Sequence, residues 1–147
     1  KNLSKLTQVG IRDYSKEEAQ RMINLGDKGD CLYDTAMQAQ IATGKSLEQV
    51  FTPYIEQLPK NVYISIDIDG LEPLNCPNTG TPVPGGLRYG ELEYLIFMVV
   101  KSGRKIIGFD LVEVGDSKNG WDANVGSRVL YNLCGALLAS QGKIEYR

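Results

Sequence analysis

Histidine is absent from all 147 residues. Imidazole acid–base chemistry and imidazole metal ligation therefore have no source in this chain, and any metal ion must be held by carboxylates. Cysteine is scarce. Cys31, Cys76 and Cys134 form no CxxC pair, which argues against a thiolate zinc site and predicts three reduced thiols in a cytoplasmic protein. Basic surplus is lacking too: 16 Lys and Arg against 18 Asp and Glu leave a net charge of −2. A nucleic-acid binder is excluded on that ground, because nothing displaces counterions from phosphates. No apolar run approaches the roughly 18 residues of a membrane span, so no membrane partner is expected. Lys1–Gln8 also lacks the apolar stretch of a signal peptide. The chain opens Lys1-Asn2-Leu3 without Met, as a piece of a longer protein would.

What is present reads as one α/β domain over residues 1–147. Leu6–Ile11 alternates apolar and polar residues as a strand does. Ser15 and Glu18 form a capping box that opens a helix over Lys16–Leu25, ended by Gly26. Cys31–Ala42 is weakly helical. Ser46 and Gln49 cap a further helix, with Leu47, Val50, Tyr54, Ile55 and Leu58 at helical spacing and a kink expected at Pro53. Val62–Asp69 is the clearest strand, with Val62, Ile64, Ile66 and Ile68 facing the core and Tyr63, Ser65, Asp67 and Asp69 opposite. Helices follow over Gly90–Ser102 and Asn124–Ser140, separated by a strand over Lys105–Val114 whose apolar run predicts burial on both faces. Strands alternating with helices imply a three-layer α/β/α architecture with a mainly parallel sheet.

Ligands of parallel sheets bind beyond the carboxyl ends of the strands. Two strands here end in acids: Asp67 and Asp69 on one, Asp110 and Glu113 on the other. Carboxylates at i and i+2 on a strand share a face and repel unless a cation lies between them, a spacing suited to magnesium or manganese. The segment Gly70–Arg88 follows, carrying four of the six prolines and four glycines, and is stiff enough to form an active-site rim. By itself an Asp-x-Asp pair more often marks a solvated strand end than a metal site.

Ser65-Ile66-Asp67-Ile68-Asp69-Gly70-Leu71-Glu72-Pro73, with Thr79-Gly80-Thr81-Pro82 and Gly85-Gly86-Leu87, closely resembles the signature of the ureohydrolase superfamily of arginases, agmatinases and formimidoylglutamases. Gln8-Val9-Gly10-Ile11-Arg12-Asp13 and Gly108-Phe109-Asp110-Leu111-Val112-Glu113-Val114 resemble two more of its strands. The resemblance implies that Asp67 and Asp69 are manganese ligands, Asp69 having a catalytic role with them. It also implies that Thr81 lies beside the substrate's guanidinium end and that catalytic Glu113 pairs with that cation. Ser15 stands where arginases hold the substrate's α-amino group with an Asp. Two manganese ions and trimers or hexamers are the family's pattern.

The departures are informative. The superfamily's upstream Gly-Gly-Asp-His and Asp-Ala-His-x-Asp motifs, which carry most of its ligands, are missing, so the chain resembles the C-terminal half of such an enzyme. Alone it is expected to be inactive. Glu72 replaces an Asp, and Gly115 stands where arginases place Asn-Pro. Two other readings are open: a haloacid-dehalogenase-type phosphatase using Asp67-Ile68-Asp69-Gly70, with Leu71 against it, and a non-catalytic assembly or regulatory domain. Trp121 is expected in a loop, and Arg128 and Tyr131 are candidates for a subunit contact.

Overall fold

The computed structural model describes residues 3–116 and 118–146. Four strands and five helices alternate: β1 (Leu6–Ile11), α1 (Lys16–Asn24), β2 (Gly29–Tyr33), α2 (Asp34–Ala42), α3 (Leu47–Glu56), β3 (Asn61–Asp67), α4 (Tyr89–Lys101), β4 (Lys105–Val112) and α5 (Trp121–Ser140). The α/β class and the parallel pairing agree with the sequence. The single sheet does not: among the described residues β1 pairs only with β2, and β3 only with β4, both in parallel.

Both predicted capping boxes form. Ser15 Oγ accepts from Glu18 N at 3.2 Å and Ser46 Oγ from Gln49 N at 3.2 Å, and each acid or amide side chain reaches back to the cap nitrogen. Pro53 lies inside α3, which runs on to Glu56; the missing N–H removes one rung without ending the helix. α2 bears out the helix suggested over Cys31–Ala42 from Asp34 onward; its first three residues belong instead to β2, which buries only Leu32 completely and merges directly into α2.

One apolar core joins the two strand pairs. Leu32 and Met37 belong to the same cluster as Ile66, Ile68, Ile96, Ile106, Val129 and Leu133. Helices α2, α3, α4 and α5 pack side by side in that order, and α5 also packs on β4. Val62, Ile66 and Ile106 are buried on that side of the second pair. The opposite side is bare: Tyr63 is 60% exposed, Ile107 63% and Val112 42%. The expected double-sided burial of the last strand is therefore wrong for this chain, since nothing among the described residues covers that face.

No helix of the described residues is long and apolar enough to cross a membrane.

Candidate active site

β3 stops at Asp67 rather than Asp69. The chain turns at once into a 3-10 turn, Ile68–Gly70, for which Asp67 is the cap: its Oδ1 accepts from Asp69 N at 3.2 Å. The two acids are thus adjacent through a turn, not through the strand pleat that the sequence suggested. A core demand explains the change, because Ile68 is fully buried and pulls the backbone inward between them.

The carbonyls of this turn are all engaged, as buried backbone groups require. Ile68 O accepts from Leu71 N (3.1 Å) and from the Cys76 thiol (3.0 Å), and Gly70 O accepts from Leu87 N (3.0 Å). Asp69 O and Leu71 O accept from Arg12, at the end of β1, at 2.7 and 3.2 Å. Burial pushes the Cys76 thiol up to about 11, with the charge of Asp122 acting the same way, so it remains a protonated donor. A bridge between Leu71 and Leu87 closes the base of the long loop.

That loop then returns over the strand ends. Thr81 Oγ1 donates to Asp69 Oδ2 at 3.0 Å, so two of the predicted residues touch. Thr79, buried, donates its hydroxyl to Glu113 O at 2.9 Å. Glu113 lies just past β4 with φ +60°, the only non-glycine residue with positive φ among those described. A Cβ placed on Gly80 would lie 3.2 Å from Glu113 Oε2, so the carboxylate borders the same loop. Burial first, then the charges of Asp69 and Glu113, raises the Asp67 carboxyl above its ordinary range, against the lowering effect of the Asp69 backbone N–H.

Asp67, Asp69, Thr81 and Glu113 therefore converge. Asp110 does not join them; its carboxylate accepts from Ser65 Oγ at 2.7 Å on the bare face of the sheet. Ser15 stays engaged as the cap of α1. Among the described residues no three acids or cysteines form a closed metal cage. The acid pair suits a hard divalent cation chemically, as charge-crowded oxygen donors, but supplies only part of a coordination shell.

Several supporting residues escaped the sequence reading. Asn78 donates from its backbone N and its Nδ2 to the two oxygens of buried Asp122, each at 2.9 Å, fixing the loop to the first turn of α5. The helix starts at Trp121, not Asn124, and Trp121 Nε1 donates to Leu74 O at 3.0 Å. A Cβ on Gly115 would lie 2.0 Å from Asn78 O, so that position tolerates only glycine. Asn78 and Asp122 carried no spacing signal; Arg12 lies in the family-like segment Gln8–Asp13, which gives no sign of its contacts with the loop. Two cavities lie elsewhere, one of about 360 Å³ at the opposite strand ends beside Lys5, Asp27 and Gln57, another of about 90 Å³ between Tyr14, Met22 and Tyr33.

Comparison with known proteins agrees with this layout. The sequence model of the arginase family matches residues 1–135. Arginase-1 of Sus scrofa is 33% identical over 109 residues, covering 74% of this chain and 33% of that protein. The arginase of Emericella nidulans is 33% identical over 116 residues, 79% of this chain and 34% of its own. Among solved structures, the agmatine ureohydrolase of Thermoplasma volcanium aligns with a TM-score of 0.66 at 28% identity, over 94% of this chain and 42% of that one. Proclavaminate amidino hydrolase from Streptomyces clavuligerus shares the fold, with a TM-score of 0.73 at 23% identity over 91% of this chain and 42% of its own. The chain spans about a third of the length of the relatives it matches by sequence. This agreement displaces the phosphatase reading of the Asp-x-Asp segment. With a match running from the first strand through most of the last helix, the chain belongs to the arginase family.

Proposed function

We propose that this chain supplies the C-terminal, carboxylate-bearing part of a manganese-dependent ureohydrolase, which cleaves a guanidino or amidino C–N bond of a small substrate. The observation that carries the reading is the convergence of Asp67, Asp69, Thr81 and Glu113 at the ends of β3 and β4. Asp67 and Asp69 would hold manganese, with the remaining ligands coming from residues outside this chain. When bound, manganese supplies Lewis acidity and an activated water.

The chain's own residues bind and orient. The Glu113 carboxylate offers two oxygens to the planar fork of a guanidinium or amidine, a pairing favoured by charge and geometry. Thr81 fixes one oxygen of Asp69 and presents its own oxygen as an acceptor beside that cation. Ser15 is the candidate contact for the far end of the substrate. The products are an amine with urea, or with formamide when the substrate is a formimino compound. A cytoplasmic homo-oligomer, a trimer or hexamer with Arg128 and Tyr131 near a subunit contact, belongs to the same proposal, as does a single domain continuing beyond residues 1–147.

The test is urea or amine release by the complete protein with and without manganese. Asp67→Asn and Glu113→Gln are each expected to lower kcat/KM by about a hundredfold or more. Turnover that ignores manganese removal, or manganese-dependent urea release by residues 1–147 alone, would sink the reading.

A further inference from the structure

We infer that Arg12 is a positioning residue that sets where Asp69 and the rim loop stand relative to β1; the part of this inference that concerns manganese rests on the function proposed above. Arg12 follows β1 directly and is 57 residues from Asp69 in sequence. Its Nη2 lies 2.7 Å from Asp69 O, 2.8 Å from Val83 O and 3.2 Å from Leu71 O, while Nε reaches Val83 O at 3.1 Å. One guanidinium thus joins three segments: the end of β1, the turn that carries Asp69, and the far limb of the loop that carries Thr81.

The neighbouring chemistry shows why this must be arginine. These acceptors are all backbone carbonyls, so the side chain reads position rather than pairing with a carboxylate. A flat fork with fixed N–H directions can serve carbonyls on two separate segments, whereas an ammonium ion is a single point on a flexible stem. The loop is shaped to admit it. A Cβ on Gly85, which has φ +95°, would lie 3.2 Å from Arg12 Cδ and 2.6 Å from buried Asp34 Oδ2, so only glycine lets the loop descend onto the arginine stem. The remaining carbonyls of the turn have local donors, Leu71 N and Cys76 for Ile68 O and Leu87 N for Gly70 O. Asp69 O and Leu71 O have Arg12. Removing it frees the two carbonyls on either side of the turn's last residue, and Asp69 with them.

Arg104 is the internal control. It makes the same kind of clamp at the opposite strand ends, Nε to Leu58 O at 3.0 Å and Nη2 to Glu56 O at 2.7 Å, remote from the acids. The experiment compares Arg12→Lys, Arg12→Ala and Arg104→Ala in the complete protein by backbone hydrogen exchange and by manganese titration calorimetry. For both Arg12 variants, protection is expected to fall about tenfold or more at residues 68–72 and 82–87 alone. Manganese affinity should fall 10- to 100-fold, the usual range for groups that orient metal ligands. Arg104→Ala should alter neither. Lysine should not rescue.

If Arg12→Ala does not fold, Arg12→Lys decides. Unchanged exchange in those two segments, or a loss spread across the whole core and matched by Arg104→Ala, overturns the inference. Manganese affinity unaltered despite local deprotection also overturns it, because Asp69 would then not depend on Arg12. A wild-type protein that takes up no manganese refutes the metal reading instead, and the exchange pattern alone then judges Arg12.

Discussion

Glu113 holds a backbone conformation that suits glycine: at φ +60° a side chain crowds the following carbonyl, at a cost of about 1–2 kcal/mol. What stabilises it is visible on both sides. Thr79 donates to its carbonyl at 2.9 Å, and Gly115 two residues on packs directly beneath Asn78. The bend turns the carboxylate away from the strand and toward Gly80 and the loop. Sequence periodicity gave no warning, because Leu111-Val112-Glu113-Val114 reads as uninterrupted strand. Strain at a residue proposed to grip the substrate makes a two-part expectation. Glu113→Gly should raise the stability of the fold by about 1 kcal/mol in urea denaturation while removing substrate affinity, whereas Glu113→Gln should leave stability near wild type and lose the same affinity. A clear loss of stability in Glu113→Gly would mean that the side chain itself holds the loop, and that binding is not what keeps an acid there.

Among the elements, the long loop matters most, since its path decides whether the two strand ends face one site. Its base is closed by the Leu71–Leu87 bridge and its crest by the paired bonds from Asn78 to Asp122. Asp122 is fully buried in the first turn of α5, where a negative charge also meets the helix's positive end. Replacing it with alanine leaves two donors of Asn78 without their acceptor. We expect Asp122→Ala to cost about 2–4 kcal/mol and Asp122→Asn less, measured by thermal or urea unfolding. A loss under about half a kilocalorie per mole for Asp122→Ala would show the loop to be fixed from its base alone. The loop's stiffness and its acids were legible because proline, glycine and a repeated Asp announce themselves. The residues that seat it were not, since Asp122 falls in what reads as a loop ahead of the last helix. β2 was hidden for a related reason: a five-residue strand with one fully buried side chain leaves no period to detect, and its helical continuation dominates the window.

At the scale of the molecule, the parallel pair β3–β4 has helices on one face only, whereas parallel sheets are ordinarily buried on both. The bare face carries Tyr63, Ile107 and Val112 as its large apolar side chains, with the Ser65–Asp110 hydrogen bond between them. Such a surface favours association in water. The relatives matched by sequence are about three times longer than the aligned segment, and a complete protein of that size has material to cover the face. This makes the sign of one substitution depend on the length of the polypeptide. In residues 1–147 alone, Ile107→Lys puts a charge on an exposed patch and is expected to reduce self-association and the binding of an apolar dye, with little effect on stability. In the complete protein the same lysine would be forced under a second layer and should destabilise the fold by about 2 kcal/mol or more. Sedimentation and denaturation of both lengths decide it. Equal tolerance of Ile107→Lys in both would mean that the face stays open to solvent in the intact molecule, and that the additional length of such a protein does not pack over β3 and β4.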